Sequence, residues 1–269
     1  MPIASLAMYV SPPPVAEATA ALWAFLRDHL RHAGLADVPD RLDATIRYDE
    51  AWLSPDLLLA QTCGYPYVRR LTGRVRLVAT PVYGLPGCDG PTTRSFIIVG
   101  RDSAAGGLAD LRGARAAINE PGSNSGANLF RATIAPLAKD GRFFGSVTET
   151  GGHRASMEAV ADGRADAAAI DCVTFGNTAR FDPGLTGRLR ILAETPAGPG
   201  LPLITRADAP DAMVAQLRAA LDAAIADASL ASVRDTLALC GFARLSDADY
   251  AALSRLEADA VRRGYPAVA

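Results

Sequence analysis

Lysine is almost absent from this sequence of 269 residues: of its 27 basic residues, Lys139 alone is a lysine and the rest are arginines. Because a Schiff base with a carbonyl substrate needs a lysine amine, this kind of covalent catalysis is disfavoured. The basic residues are scattered along the chain and nearly balance the 29 acidic residues. A nucleic-acid-binding protein normally carries a basic patch, so we expect no nucleic-acid partner.

Long apolar runs are missing as well. No stretch of 18 consecutive apolar residues occurs, so the sequence predicts no membrane-spanning helix. Residues 1–6 lack both the positive charge and the long apolar segment of an export signal. Two localisations therefore stay open, a cytoplasmic protein or a periplasmic protein whose leader has been removed.

Cysteine pairs of the C-x-x-C type are also missing among the four cysteines, which argues against a zinc site. We predict neither a metal nor another cofactor. Cys63 and Cys88 both stand in turn-like sequence at the ends of predicted strands, so an oxidising compartment would allow them to pair. Free, partly buried thiols are the commoner alternative.

Short apolar runs alternate with helical patterns, which predicts an α/β architecture with mainly parallel sheets. Hydrophobic residues make up 49% of the chain, enough for a sizeable core. Two irregular stretches rich in glycine and proline, 84–93 and 195–202, are typical of crossovers between lobes. We therefore predict that residues 1–93 begin a first lobe, 94–195 form a second lobe, and 196–269 return to the first.

Hydrophobic periodicity and turn residues place the individual elements. The predicted strands are residues 3–8, 57–60, 74–80, 96–99, 116–118, 167–170 and 203–205. The predicted helices are residues 15–33, 129–137, 211–228, 229–240 and 247–263.

The most informative segment is residues 120–126, with the sequence EPGSNSG, between a predicted strand and a predicted helix. Where a strand passes into a helix, unpaired N–H groups and the positive end of the helix dipole point at one spot. Such a spot binds phosphate, sulfate or carboxylate, and the hydroxyls of Ser123 and Ser125 add donors. The simpler alternative is a helix capped by Asn124 or Ser125.

Two further polar positions occur in the same predicted lobe. His153 follows two glycines at the start of a short helix, and Asp171 ends the strand predicted at 167–170. Ligands of open α/β sheets bind beyond the carboxyl ends of strands, so we expect both residues to share a cleft with the serine-rich turn. Plain capping or turn roles are the alternatives. Asp171 beside an oxyanion makes sense if it accepts a hydrogen bond from a P–OH group or pairs with His153.

In this arrangement the chain resembles the substrate-binding proteins of phosphonate, phosphite and phosphate ABC transporters. The resemblance covers about residues 55–205 well, and the ends more loosely. It implies an α/β type II periplasmic binding fold, in which two lobes with mixed sheets flanked by helices close on a ligand in the cleft between them. The segments that carry it are 61–64, 101–103 with 108–113, 123–126, 151–153 and 166–171.

Carried over by position, the resemblance implies a role for each polar residue. Ser123, Asn124 and Ser125 would hold the phosphorus oxygens through backbone and hydroxyl donors. His153 would donate to another oxygen, and Asp171 would accept a P–OH proton or order His153. A dianionic ligand would then be repelled by Asp171.

The other lobe is expected to supply residues from the first strand's end and from the turn at 62–65. Tyr83 and Trp52 are weaker candidates that we expect to pack rather than bind. The expected ligand-facing residues are Tyr9, Thr62, Cys63 and Tyr65.

The chain departs from the family pattern at three positions. Family members that bind aminoalkyl phosphonates place acidic residues near the second crossover and just after the position of Asp171. Leu201 and Val173 stand nearest to those places, which argues against an amine-bearing ligand. Cys63 replaces an aromatic residue that often lines the family pocket, which predicts a wider or differently shaped pocket.

These observations predict a non-catalytic, monomeric solute-binding protein that delivers a small oxyanion to an ABC permease. The main alternative is a cytoplasmic enzyme of the same fold that acts on a small carboxylate or phosphorylated metabolite, with His153 and Asp171 as its acid/base pair. The sequence has no recognisable nucleophile–base pair, which weakens that alternative. A sensor that reports on a ligand to a partner is a third possibility and would need an exposed apolar patch.

Overall fold

The computed structural model describes residues 2–269, which divide into two compact units. Unit 1 runs up to Gly84 and also includes Asp89–Pro91 and Pro199–Asp249. Unit 2 consists of Leu85–Cys88, Thr92–Gly198 and Tyr250–Ala269. The division predicted from the sequence differs from these units most in the last twenty residues, which pack with unit 2, and also by a few residues at each crossover. The boundary between the two functional lobes therefore remains a prediction.

Twelve strands are found within residues 2–269. They are β1 (Ile3–Ser5), β2 (Leu57–Gln61), β3 (Val75–Tyr83), β4 (Thr92–Thr93), β5 (Ser95–Gly100), β6 (Arg115–Ile118), β7 (Ser146–Glu149), β8 (Ala167–Asp171), β9 (Leu189–Glu194), β10 (Gly198–Pro199), β11 (Leu203–Arg206) and β12 (Leu239–Ala243).

The helices range from one short turn to twenty residues. They are α1 (Pro13–His32), α2 (Tyr48–Ala51), α3 (Gly64–Pro66), α4 (Leu129–Ile134), α5 (His153–Ala161), α6 (Cys172–Phe181), α7 (Pro183–Thr186), α8 (Asp211–Ala226), α9 (Ala231–Leu237) and α10 (Asp247–Arg262). Wider π-helical turns cover Tyr67–Leu71 and Asn124–Asn128, and 3₁₀ turns cover Leu108–Leu111, Ala135–Leu137 and Ala228–Leu230.

The sheet of unit 1 has the order β1-β2-β11-β3-β12. Only β1 and β2 are parallel neighbours, because the returning strand β11 inserts between β2 and β3 and runs antiparallel to both. The prediction of mainly parallel sheets is thus wrong for this unit, and mixed sheets are correct. A buried apolar run predicts a strand but not its direction, which depends on distant partners.

The sheet of unit 2 has the order β7-β6-β8-β5-β9. The first three strands are parallel, whereas β5 runs antiparallel to both β8 and β9. The carboxyl ends of β6, β7 and β8 therefore meet at one edge of the sheet, and β5 begins at that same edge. We call this the carboxyl edge of unit 2.

Five strands escape the sequence-based prediction: β4 and β10 are only two residues long, and the other three are edge strands. β7, β9 and β12 each have a single neighbour, and most of β7 is solvent-exposed, so none shows the continuous apolar run of a central strand. The helix predicted over 229–240 is wrong in its last three residues. Helix α9 ends at Leu237 because Ala238 adopts a left-handed conformation with φ of 49°, and β12 follows at once.

The core of unit 2 packs the helix after β6 against the sheet. Phe130 of α4 is completely buried among apolar side chains of β5, β6 and β8, and its ring lies 5.3 Å from that of Phe144. Small alanines on β6 and β8 let the helix approach the sheet closely. This packing fixes the position of the preceding turn at 123–126.

Replacing Phe130 by alanine should lower the free energy of unfolding by about 3–5 kcal/mol, because the core cannot collapse around the missing ring. Urea denaturation of the purified variant measures this loss. Val261→Ala is the control, since this side chain is 49% exposed and its truncation should change stability by no more than about 0.5 kcal/mol. A loss below about 1 kcal/mol for Phe130→Ala would contradict the packing described.

Candidate functional site

The predicted polar residues of the second lobe meet at the carboxyl edge of unit 2. The turn at 123–126 follows β6, His153 begins the helix that follows β7, and Asp171 is the last residue of β8. Because the three strands are parallel neighbours, these residues gather at the place where α/β sheets bind ligands. Their convergence, expected from the sequence, is thus provided by the strand order.

The serine-rich turn begins a helical segment that runs into α4. Ser123 is extended (φ −70°, ψ 139°), and its hydroxyl accepts a hydrogen bond of 3.1 Å from the backbone N–H of Gly126. Ser123 is therefore the N-cap, rather than Asn124 or Ser125 as the simpler interpretation expected. All three residues are buried. The first N–H groups of a helix have no acceptor within the helix, so they point toward the carboxyl edge.

Ser125 and His153 form the most direct contact across the site. The Ser125 Oγ lies 2.8 Å from the His153 Nε2 and joins the turn after β6 to the start of α5. A side chain on Gly126 would place its Cβ 1.8 Å from the Asn119 Oδ1 and 3.3 Å from the His153 ring. Glycine at 126 is thus required for the turn to approach the imidazole.

Burial controls the protonation of His153. His153 is partly exposed, but its Nδ1 atom is buried and makes no hydrogen bond of good geometry. Burial lowers the pKa of His153 to about 4, while the nearby Ala169 carbonyl acts in the opposite direction. The imidazole is therefore neutral at neutral pH. In the tautomer that carries its proton on Nδ1, Nε2 accepts a hydrogen bond from the Ser125 hydroxyl.

Two residues in series, Arg131 and Asn128, orient the side chain of Asn124. Arginine only donates hydrogen bonds, so the atom of Asn128 that lies 2.6 Å from the Arg131 guanidinium is the carbonyl oxygen. The Asn128 amide nitrogen then donates to the Asn124 Oδ1 at 3.1 Å and to the Leu253 carbonyl at 3.2 Å. With its oxygen held in this way, Asn124 turns its amide N–H₂ group in the other direction. Sequence reasoning did not identify Asn128 or Arg131.

Ser95 is a second supporting residue that the sequence did not reveal. It is completely buried at the start of β5, where its hydroxyl donates to the Ser125 carbonyl at 2.9 Å and its N–H donates to the Thr195 Oγ1 at 2.9 Å. Its strand partner across the sheet is Asp171. Ser95 thus connects the serine-rich turn to the end of β8.

Asp171 is 2% exposed and caps α6. Its Oδ1 accepts from the N–H groups of Val173 and Thr174 at 2.9 and 3.0 Å. The capping role considered as the simpler alternative is therefore present. The contacts of His153 are with Ser125 and Ala169 and not with Asp171, so this geometry does not support an acid/base pair of the two residues.

The predicted residues of the first lobe gather at an edge of the sheet of unit 1. β1, β2 and β3 run in the same direction, so the segments that follow β1 and β2 leave from the same edge. Tyr9 packs edge-to-face on Tyr83 with ring centroids 5.7 Å apart. Trp52 donates from its indole N–H to the Gln61 carbonyl at 3.0 Å, as a packing residue.

The turn after β2 is buried and held by hydrogen bonds within unit 1. The Thr62 N–H donates to the Pro202 carbonyl at 3.0 Å, and the Cys63 carbonyl accepts from the Tyr67 N–H at 3.1 Å as α3 begins. Thr62 is fully buried, and Cys63 and Tyr65 are nearly so. Cys63 and Cys88, considered as a possible bridge, are both free thiols.

A separate cavity of about 490 Å³ lies at the opposite edge of the unit 2 sheet, where β5 ends and β8 begins. Arg101, Asp102, Asp166 and Arg188 line it, and it contains none of the predicted site residues. Within residues 2–269, no group of three or more His, Cys, Asp or Glu side chains is arranged to hold a metal ion.

Two mixed α/β units with polar turns at the strand ends define the class of type II periplasmic binding proteins. The chain matches the family described as the periplasmic substrate-binding proteins of ABC phosphonate transporters over residues 17–250. It belongs to that family. The family consists of transporter proteins that bind a substrate and pass it to a permease, not of enzymes, so the enzyme alternative is not favoured.

Solved structures show the same fold. A binding protein of an ABC phosphonate transporter from Pseudomonas aeruginosa is 18% identical, with a TM-score of 0.77 over 97% of this chain and 87% of that one. PhnD1 from Prochlorococcus marinus, solved with methylphosphonate, is 14% identical, with a TM-score of 0.77 over 98% of both chains. XAC2383 from Xanthomonas citri, bound to ATP, is 18% identical, with a TM-score of 0.70 over 93% and 94%.

No curated protein matches the sequence significantly. The family is periplasmic by its description. In the part of the chain from residue 2 onward, none of the helices combines the length and the apolar character needed to cross a membrane.

The pKa of His153 predicts how stability depends on pH. The unfolded chain takes up a proton on this histidine near pH 6.5, whereas the folded protein resists it until about pH 4. Stability should thus be fully present above pH 6.5 and fall as the pH drops toward 4, by no more than roughly 3.5 kcal/mol at about 1.4 kcal/mol per pKa unit.

Urea denaturation between pH 7 and 4 measures this loss, and His153→Gln should remove most of it. The exposed His32 provides a matched control, since His32→Gln should retain the wild-type pH dependence. An identical pH dependence for wild type and His153→Gln would show that His153 is not buried in its neutral form.

Proposed function

We propose that the carboxyl edge of unit 2 binds a small, singly protonated oxyanion of the phosphonate, phosphite or phosphate type for delivery to an ABC permease. The observation that carries this proposal is the contact of Ser125 with a neutral His153 at the start of a helical segment. Backbone N–H groups at the turn supply positive potential without a cationic side chain. Ser123, Asn124 and Ser125 are the proposed contacts for the phosphorus oxygens.

The acceptors at this edge favour an anion that still carries a proton. The Ser125 hydroxyl donates to His153, so its oxygen can accept a hydrogen bond from a P–OH group. Asp171 is buried at the same edge and acts as a second acceptor for that proton. A dianion would face the Asp171 carboxylate without a proton between them and would be repelled.

The supporting residues favour a rigid, prepared site. Ser95 holds the Ser125 carbonyl, and Asn128 fixes the amide of Asn124 so that its N–H₂ group can donate to the ligand. Donors that are already oriented cost little further ordering when an anion binds. This arrangement suits a compact tetrahedral anion held by several short hydrogen bonds.

An ammonium group on the ligand is not expected. Val173 and Leu201 stand where the family's amine-binding members carry acidic residues, and both are buried, apolar side chains. Methylphosphonate, which PhnD1 from Prochlorococcus marinus binds, is therefore the first compound to test. Tyr9, Thr62, Cys63 and Tyr65 remain predicted ligand contacts. We further propose that the protein acts in the periplasm as a monomer, which light scattering of the purified protein tests.

Isothermal titration with methylphosphonate, phosphite and phosphate tests the site. Replacing Ser125 by alanine should weaken the binding of the best ligand about tenfold or more, since a hydrogen bond to a charged group contributes roughly 1.5–3 kcal/mol. Ser146→Ala is the matched control, because Ser146 lies exposed at the start of β7 and should not affect binding. Absence of binding to all three anions, or unchanged affinity of Ser125→Ala, would contradict the proposal.

Asp171→Asn tests the preference for a protonated ligand. Wild-type affinity for methylphosphonate should fall as the pH rises through the second ionisation of the ligand, because the dianion is repelled by the carboxylate. The variant should lose most of this discrimination and should bind sulfate, which carries no proton at neutral pH, better than the wild type does. Circular dichroism checks that the amide still caps α6. An unchanged ratio of sulfate to methylphosphonate affinity would exclude a role for Asp171 in selecting protonated ligands.

A further inference from the structure

Two cysteines of unit 2 face each other at short range. The Sγ atoms of Cys88 and Cys172 lie 3.6 Å apart, and both are free thiols in this structure. Cys172 is fully buried, whereas Cys88 is partly exposed. The neighbouring pair differs from Cys240, which is exposed and lies against the Ala238 carbonyl.

We propose that Cys88 and Cys172 are a disulfide-forming pair that is oxidised by exchange with a small disulfide. A disulfide needs the two sulfurs about 2.05 Å apart and both Cβ atoms within reach. We expect rotation of the side chains to close the present gap of 3.6 Å, since the neighbouring residue Gly87 already packs against the Cys172 Cβ. The proposal concerns thiol chemistry alone and does not depend on which anion the protein binds.

The backbone of both cysteines is held in place. Cys172 is the first residue of α6, and its N–H donates to the Arg94 carbonyl at 3.0 Å while Asp171 caps the next two N–H groups. Cys88 donates from its N–H to the Leu85 carbonyl at 3.0 Å, in a tight turn. A sulfur pair on two fixed backbones loses little conformational freedom when it becomes bridged.

Gly87 provides the close approach of this turn to α6. Its φ of +86° is unfavourable for other residues, and an added Cβ would lie 2.8 Å from both the Cys172 Cβ and the Phe96 ring. Any side chain at position 87 would therefore push Cys88 away from Cys172. A substitution of Gly87 therefore separates the two thiols without removing either of them.

The environment distinguishes the roles of the two thiols. The hydrogen bond from Cys172 lowers the pKa of Cys88, the more exposed sulfur. The same contact, burial and the charge of Asp171 raise the pKa of Cys172. Because the thiolate is the nucleophile in exchange reactions, Cys88 is the residue that attacks first.

The reaction balances with a low-molecular-weight disulfide such as oxidised glutathione as the oxidant. The Cys88 thiolate attacks one glutathione sulfur, forms a mixed disulfide and releases the first glutathione thiolate. The Cys172 thiol then gives up its proton to solvent and attacks the Cys88 sulfur, which releases the second glutathione thiolate. Two electrons pass from the protein thiols to glutathione, and the protein keeps one new S–S bond. The family is periplasmic, and disulfides persist in that compartment.

The test equilibrates the full chain with oxidised glutathione, alkylates the remaining thiols and maps tryptic peptides without reduction. We expect one peptide pair that links Cys88 to Cys172, with Cys63 found as an alkylated thiol. A bridge over so long a stretch of chain restricts the unfolded state, so the melting temperature should rise by about 5–10 °C and return with dithiothreitol. Alkylation of both Cys88 and Cys172, or glutathione carried singly on either, would overturn the proposal.

Three variants complete the test. Cys88→Ser and Cys172→Ser should each abolish the dithiothreitol-sensitive rise in melting temperature, whereas Cys240→Ser should retain it. Gly87→Ala keeps all four cysteines, and its bridge should form at least about tenfold more slowly because the turn is displaced from α6. A rise that survives in Cys88→Ser, or equal rates for Gly87→Ala and the wild type, would show that the thermal effect has another origin.

Discussion

The hydrogen bond between Ser125 and His153 joins two turns that are 28 residues apart in the chain. It exists because β6 and β7 are parallel neighbours, which bring the turn after one strand to the helix start after the other. A neutral imidazole is needed for Ser125 to be the donor in this contact, and burial keeps His153 neutral. The rest of the site is arranged around this contact, since Gly126 permits the close approach and Ser95 holds the Ser125 carbonyl.

The proposed site would supply positive potential without presenting a cation to the ligand. Arg131 is buried in the unit, but its guanidinium donates to the Asn128 side chain and the Pro266 carbonyl rather than to the carboxyl edge. Arg131 therefore affects the carboxyl edge indirectly: it orients the side chain of Asn128, which in turn orients that of Asn124. Backbone N–H groups, a neutral histidine and an acidic Asp171 then suit an anion that both accepts and donates hydrogen bonds.

Sequence reasoning performed best where local chemistry and strand ends coincide. The strands at 57–60 and 116–118 and the helix at 15–33 were predicted close to their observed bounds, since each has a strong apolar pattern. The edge strands β7, β9 and β12 were missed because they bury too little apolar surface to show one. Ser95, Asn128 and Arg131 were missed for another reason: a buried polar residue has no sequence signature unless its partner is known, and these partners lie far along the chain.

The sequence by itself determined the family, the α/β class and the identity of the polar turns at 123–126, 153 and 171, because those features depend on local order along the chain. Only the tertiary structure decided that Ser123 is the cap, that His153 contacts Ser125 and not Asp171, and that Cys88 faces Cys172 rather than another cysteine. The contacts of His153 and of Cys88 depend on strand order and on packing between distant segments, whereas the Ser123 cap depends on the backbone conformation of its own turn. Burial sets the pKa of His153, and the contact with Cys172 lowers the pKa of Cys88; both effects arise only when those segments meet.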